Sequence, residues 1–431
     1  MQAYLDDAAS TRLDPRVLDE MLPLLSAEWG NPSSLHTRGR SAREAVERAR
    51  ERTARLVGAE PSEVVFTASG TEADNLAILG TAAALEGTPW HLVTSAIEHP
   101  AVLEPCRFLE RRGVPVTWLP CGPDGRVAPE ALRAALRPET RLVSVMAANN
   151  VTGVVQPVRE LAAICTERGV PFHTDAVQAA GKVPLDVLAD GVSLLSLSAH
   201  KIHGPKGAAA LVVRKGTPLA PLLFGGGQEG GLRPSTEDVP AIAGLGKAAE
   251  IAALEMRDEA VRQVALREAL VERVLAGIPG ASLLGDRWRR LPGHAGFLFE
   301  GLEGAAPALL LALDEAGVAV STGSACSARH ADRPSHVLEA MGFDPVRARG
   351  ALRVSMGRFT TRPDVERLLT ALSEAAARLR AGAGLAHAVL TYALLSHTDP
   401  AQADGGGQRG GGEASRQPRA EGVLPCPDPL A

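Results

Sequence analysis

Between about Ala59 and Lys215 the chain alternates short β-rich runs with stretches of helical period, and few folds accommodate that alternation. The runs are EVVF near Val64, HLVTS near Val93, VTWL near Thr117, RLVSVM near Val143, VPFHTD near Phe172, LLSLS near Leu195 and AALVV near Val212. Strands separated by helical crossovers predict an α/β fold with a mostly parallel sheet and right-handed connections. Ahead of this region, Ser41 to Leu56 places Ala42, Ala45, Val46, Ala49, Thr53 and Leu56 on one helical face and leaves Arg and Glu to water on the other.

A long helical pattern, Glu237 to Leu275, follows the glycine-rich stretch Gly225 to Gly231 and leads to a second, smaller set of elements. Strands are expected there near Leu283, Phe297, Val318 and Val354, and helices near Leu310, Val337 and Leu368. The last helix carries a start signature, Thr361 and Asp364 with Pro363 in the first turn, ahead of Val365, Leu368, Leu369, Leu372 and Leu379. Order is expected to decay from about Gly382, because the segment beyond Thr398 is Gly, Gln, Pro and charge, with too little apolar surface to offset the entropy of ordering it.

The 431 residues are 45% hydrophobic and 22% charged, the balance of a globular chain. Lys and Arg number 45 against 50 Asp and Glu, for a net charge of −5, so no basic excess exists to hold a phosphate backbone. The start, MQAYLDDAAS, has acids where a secretory leader needs bases, and no apolar run approaches the ~18 residues of a membrane span. A cytoplasmic protein without nucleic-acid or membrane partners is expected. The five cysteines, Cys106, Cys121, Cys165, Cys326 and Cys426, are odd in number and form no C-x-x-C pair, which argues against a disulfide framework and a zinc site.

Three stretches are candidates for chemistry. In LLSLSAHKIHGPKG an apolar run ends in Ser198, His200 and Lys201 before Gly204 and Pro205 break it. A lysine at the carboxyl mouth of an α/β sheet is either a solvated strand end or, desolvated, the amine of a Schiff base. In FHTDAVQ another strand ends at Asp175 beside Gln178, one strand-helix-strand step before Lys201. Such an Asp is either a helix cap or the partner of a protonated pyridine nitrogen. In EVVFTASGTEADNLAIL, Gly70 and Thr71 open a helix whose free N–H groups suit a phosphate, and an ordinary capping turn with Ser69 or Thr71 reads the same way.

TASGTEADN, TSAIEHPAV, NNVTGVVQP, HTDAVQAAGK, SAHKIHGPKG, GGGQEGGLRPST, STGSACSA and RVSMGRFTT follow one another in an order and spacing that resembles the cysteine desulfurases of the NifS/IscS type, within the class-V aminotransferases. The resemblance covers about residues 3 to 380. It implies pyridoxal-phosphate fold type I: a large domain with a mostly parallel seven-stranded sheet between helices, plus a smaller α+β domain. On this template residues 1–15 associate with the small domain, 16–255 form the large cofactor-binding domain, 256–381 the small domain with the cysteine loop, and 382–431 a flexible tail. The resemblance implies that pyridoxal 5'-phosphate is joined to Lys201, which then shuttles protons. It implies that Asp175 meets the pyridine nitrogen, Gln178 and Asn150 lie near the ring oxygen, and His99 stacks on the ring. Gly70, Thr71, Ser198 and His200 would form the phosphate cup, and Thr236 would reach the phosphate of the other subunit in a homodimer. Gly225 to Gly227 would border the site or serve as a hinge.

By the same resemblance Arg353, with Asn150, grips the carboxylate of the substrate, L-cysteine, and Cys326 takes its sulfur as a persulfide, leaving L-alanine. Catalysis then rests on Lys201, Cys326 and His99. The sulfur would pass to an acceptor protein such as an iron-sulfur scaffold or a tRNA-thiolation protein. This chain has ASGTE and NNVTG where such enzymes commonly have SGATE or SGGTE and NNE, so Val151 stands in place of an acid. An aminotransferase or selenocysteine lyase on the same scaffold, and a non-catalytic sulfur-assembly scaffold, are the competing readings.

Overall fold

The computed structural model describes residues 2–322 and 335–396, with side chains described as far as Gly382. Residues 1–382 form one compact unit and 383–431 a second, of which the end of a helix is described. The strands are β1 (Ala3–Tyr4), β2 (Val64–Thr67), β3 (His91–Ser95), β4 (Val116–Leu119), β5 (Thr140–Ser144), β6 (Phe172–Asp175), β7 (Leu194–Ser198), β8 (Ala209–Val213), β9 (Ala281–Leu283), β10 (His294–Phe299), β11 (Val318–Ala319) and β12 (Leu352–Ser355). The α-helices are α1 (Pro15–Ser26), α2 (Thr37–Leu56), α3 (Gly70–Ala84), α4 (Pro100–Arg111), α5 (Pro129–Ala135), α6 (Val158–Glu167), α7 (Val239–Gly277), α8 (Ala306–Glu315), α9 (His336–Ala340), α10 (Pro345–Ala348) and α11 (Arg362–Ser396).

β2 to β8 form the seven-stranded sheet, in the order β2-β8-β7-β6-β5-β3-β4. Only β8 runs against the common direction of this sheet. β3, β6 and β7 are buried at every position, as strands must be when helices cover both faces, whereas the edge strand β4 is only half-buried. Successive residues point to opposite faces. Leu92, Leu142, Leu194 and Leu211 pack with Leu76, Ile78, Val102 and Leu109 of α3 and α4. Their neighbours Val93, Val143, Leu195 and Val212 join α2, α6 and α7 in the larger cluster on the other side.

The expected face of α2 is the buried one, from Ala42 through Leu56. Glycine has a steric reason at Gly246 of α7, where a Cβ would stand 2.4 Å from the Ala49 Cα of α2. Asp238 caps α7, its carboxylate accepting from the Ala241 N–H at 3.1 Å. The C-terminal half of α7 contributes Leu270, Val271 and Val274 to a separate core with Phe297, Leu352 and Leu368. That core lies under the antiparallel sheet β12-β10-β9, and β1 pairs in parallel with β11 beside it.

The C-terminal helix departs from expectation. It continues past Gly382 to Ser396, because LAHAVLTYALLS is rich in the strong helix formers Ala and Leu. The Gly- and Pro-rich segment beyond it, with Cys426, lies outside the described residues. Among the described residues no helix is long and apolar enough to cross a membrane, and no group of acidic, His or Cys side chains is arranged to hold a metal ion.

Candidate active site

The parallel strands deliver their carboxyl ends to one edge of the sheet, where ligands bind in open α/β folds. β7 ends at Ser198 and a 3-10 turn, Ala199–Lys201, carries Lys201 over that edge. Its ammonium donates to the carbonyls of Ala8, at 2.5 Å, and Ala9, at 2.9 Å. Gly204 lets the chain turn back, since a Cβ there would stand 2.9 Å from the Ala199 carbonyl oxygen. On neighbouring β6, Asp175 is fully buried and accepts the Val177 N–H at 2.9 Å. Gln178 donates to the Ala8 carbonyl at 2.8 Å and accepts from Lys182 at 3.4 Å.

At the end of β2 the cap is Ser69, whose hydroxyl accepts the Glu72 N–H at 3.1 Å, so Thr71 is not needed as one. A Cβ on Gly70 would stand 2.8 Å from the Val177 side chain, so glycine brings this helix start close to the residues following Asp175. After β3, His99 caps α4, its Nδ1 accepting the Ala101 N–H at 3.1 Å. After β5, Asn149 serves the turn: its amide donates to the Ile97 carbonyl at 2.9 Å, and its oxygen accepts the N–H groups of Val151 at 2.9 Å and Thr152 at 3.0 Å. Asn150 presents its carbonyl to Arg353 of β12 at 3.0 Å. The other end of that guanidinium pairs with Asp6 at 2.6 Å.

A cavity of about 370 Å³ lies among these residues. Gly70, Thr71, His99, Asn150, Asp175, Gln178, Ser198, His200, Lys201 and Arg353 all line it. Thr236 does not: it is exposed on the segment ahead of α7. Cys326 lies in 323–334, outside the described residues.

Sequence reasoning passed over several groups. The strap from Asp6 to Thr11 crosses the site, supplying the carbonyls that hold Lys201 and donating the Thr11 N–H to the His200 carbonyl, at 2.9 Å. Asp74 and His336 also line the cavity. Asp74 is signalled by its place among Ala73, Leu76 and Ala77 on the apolar face of α3. Glu98, fully buried, accepts from the Ser95 hydroxyl and, at 3.0 Å, from the Met146 N–H, tying the turn that bears His99 to the end of β5. An acid placed between the apolar strand end and Pro100 was its only signal.

Burial dominates the electrostatics. It pushes the Glu98 carboxyl up to about 8, and raises both Asp74 and Asp175; the Asp175 carboxylate lifts Glu98 and Asp74 further, and Glu98 also acts on Asp74. His99, the Val177 N–H and Lys201 pull Asp175 back toward ionisation. Burial, with Lys201 nearby, depresses His200 to about 4, leaving it neutral. Burial and Lys201 also depress Lys182 to about 7, while burial lifts Asp7 to about 7.

The aminotransferase class-V family model matches residues 3–368. The chain belongs to the class-V aminotransferase family. Within it, a cysteine desulfurase IscS from Dictyoglomus turgidum is 46% identical over 379 residues, 88% of this chain and 95% of that protein. A cysteine desulfurase from Cereibacter sphaeroides is 48% identical over 382 residues, 88% of this chain and 97% of its own. A solved NifS-like protein superposes with a TM-score of 0.81 at 38% identity, covering 87% of this chain and 99% of that one. DndA from Streptomyces lividans superposes at 0.70 with 42% identity, covering 82% and 99%. The expected fold class, an α/β architecture with a mostly parallel seven-stranded sheet, is that of these class-V relatives.

Proposed function

We propose that this chain is a pyridoxal-phosphate-dependent cysteine desulfurase that converts L-cysteine to L-alanine and takes the sulfur as a persulfide on Cys326. The observation that carries the reading is the convergence of three groups on one cavity: the Lys201 amine, the Asp175 carboxylate on the neighbouring strand, and the Arg353 guanidinium. The residues suit the cofactor. A buried carboxylate matches a pyridinium nitrogen, an amine at a strand end matches an aldehyde, and the α3 N-terminus with Thr71, Ser198 and His200 matches a phosphate. Bound there, pyridoxal phosphate supplies the electron sink that lets an amino acid lose its α-proton.

Arg353 grips the substrate carboxylate, aided by Asn150, and its planar fork fixes the direction in which the amino group faces. Lys201 holds the cofactor and afterwards moves the α-proton. Asp175 keeps the pyridine nitrogen protonated, and His99 with Gln178 bounds the ring. Catalysis thus falls to Lys201, His99 and Cys326, the last carried over from the family resemblance. Thr236, exposed here, fits a role at the phosphate of a second subunit, and a homodimer follows from that reading. The division into a large domain, 16–255, and a small one, 256–381, belongs to the same proposal. A cytoplasmic enzyme passing sulfur to an acceptor protein for iron-sulfur assembly or tRNA thiolation completes it.

The test is brief exposure of the cofactor-loaded protein to cysteine, with alanine measured and the sulfur adduct mapped by peptide mass. Alanine release with an adduct on Cys326 supports the proposal. Sulfide release at the parent rate from Cys326→Ala, or borohydride trapping of the cofactor anywhere but Lys201, overturns it.

A further inference from the structure

His336 and His99 stand on the same cavity, and their ring protons are assigned by what they bind. The Nδ1 of His99 accepts the Ala101 N–H, so the neutral ring carries its proton on Nε2 and can only donate from that atom. The Nε2 of His336 lies 2.9 Å from the Glu98 carbonyl oxygen, which cannot donate, so its proton sits on Nε2 and the lone pair on Nδ1. Nδ1 of His336 has no hydrogen-bond partner among the described residues. The Ala101 N–H therefore sets the His99 ring, and the carbonyl of its chain neighbour Glu98 sets that of His336.

We propose that His336 is the proton acceptor of this site, taking the thiol proton of the bound amino acid while His99 acts as a donor. The inference rests on the cysteine desulfurase reading. Cysteine brings a carboxylate, an ammonium and a thiol. Arg353 answers the first, the cofactor aldehyde that Lys201 would hold takes the amino group, and the thiol needs a base of its own. In the step the S–H bond breaks, its electron pair stays on sulfur and an Nδ1–H bond forms; when the Cys326 thiolate then bonds to that sulfur, the C–S bond breaks and its pair goes to carbon, which a proton completes as the methyl group of alanine. The imidazole becomes imidazolium, still donating through Nε2 to the Glu98 carbonyl, and later returns its proton to water.

The surroundings keep the ring neutral until then. Burial holds His336 below the usual histidine range, Arg107 of α4 and His99 push the same way, and the Glu98 carbonyl with Glu339 of α9 opposes them. The segment just before His336 adds Ser335, buried and also on the cavity wall.

The discriminating substitution is His336→Gln, whose amide still donates to the Glu98 carbonyl but offers no basic nitrogen. In the holoenzyme, alanine formation from cysteine is expected to fall about 100-fold or more, the usual scale for losing a general base. KM should stay unchanged, and the acidic limb of the pH profile should disappear. A variant within about twofold of a working parent, or one that keeps that limb, overturns this inference alone. A parent that forms no alanine overturns the functional reading and this inference with it. A readout independent of turnover is 15N NMR of the cofactor-free protein, assigned by difference against the variant. A neutral His336 with its proton on Nε2 is expected, and a proton on Nδ1 overturns the proposal.

Discussion

Asp6 and Arg353, 347 residues apart in sequence, form a 2.6 Å ion pair at the wall of the cavity. The guanidinium is almost wholly buried and its other end donates to the Asn150 carbonyl, so its orientation is set from two sides before any substrate arrives. An Arg presented in this way recognises a carboxylate by geometry as well as by charge. Asp6→Asn keeps the shape and removes the charge. KM for cysteine is expected to rise roughly tenfold, about 1.4 kcal/mol, with kcat changed far less. Steady-state alanine formation measures the split, and an equal fall in kcat would place Asp6 in the chemistry instead.

Gly70 gives a second prediction, through its contact with Val177. A methyl group at position 70 meets the Val177 Cγ2 at 2.8 Å, closer than carbon atoms pack, so Gly70→Ala should push α3 away from the residues that follow Asp175. Retention of pyridoxal phosphate is expected to weaken about tenfold. Val177→Ala in the same chain should restore most of it, because the obstructing atom is then gone. Equilibrium dialysis of the cofactor against the single and double variants decides the matter.

The glycine-rich stretch is anchored rather than loose at Glu229. That carboxylate is held bidentately by Arg50, both contacts at 2.8 Å, and accepts the Phe66 N–H at 2.8 Å, while its backbone adopts a φ of 51°. The Arg50 guanidinium also lies over the Phe66 ring at 4.7 Å. Glu229→Ala leaves a mostly buried arginine without its counter-charge and is expected to cost about 3–5 kcal/mol in urea unfolding. Arg50→Met with Glu229→Leu should recover much of that loss, since the pair would then be replaced by apolar volume.

Local patterns made the architecture readable. Strands such as HLVTS and LLSLS are short, apolar-rich and buried throughout, and the period of α2 names its own buried face. Lys201 and Asp175 were legible because each ends such a strand, and adjoining parallel strands bring their ends together. The strap was not legible: Lys201 and Ala8 are 193 residues apart, and carbonyl oxygens carry no side-chain signal. Glu98 and Asp74 escaped for another reason. Their burial depends on elements packed from distant sequence, and a lone acid beside an apolar run looks the same at the surface. Nor does one chain bring Thr236 to the cavity, and nothing in its short motif RPST distinguishes a cofactor contact from an exposed turn.

Buried titratable groups under the site give the pH dependence of stability two opposing limbs. Burial depresses His173 to about 3, so the folded protein refuses a proton that the unfolded chain accepts below about 6.5. That contribution is lost as pH falls from about 6.5 toward about 3. Glu98 is the reverse case, raised to about 8 from an ordinary 4.5. Its folded carboxyl keeps a proton that the unfolded chain releases, so its contribution is present below about 4.5 and is lost as pH rises to about 8, with a limiting slope of about 1.4 kcal/mol per pH unit. Glu98→Gln holds the neutral shape permanently. It is expected to remove the Glu98 share of the alkaline decline, leaving that of the other raised carboxyls such as Asp7, and to leave the acidic limb, so urea midpoints of parent and variant should diverge from about pH 5 upward. Parallel curves between pH 5 and 8 would show that Glu98 is ionised in the folded protein, and that the charge of this buried layer is carried differently.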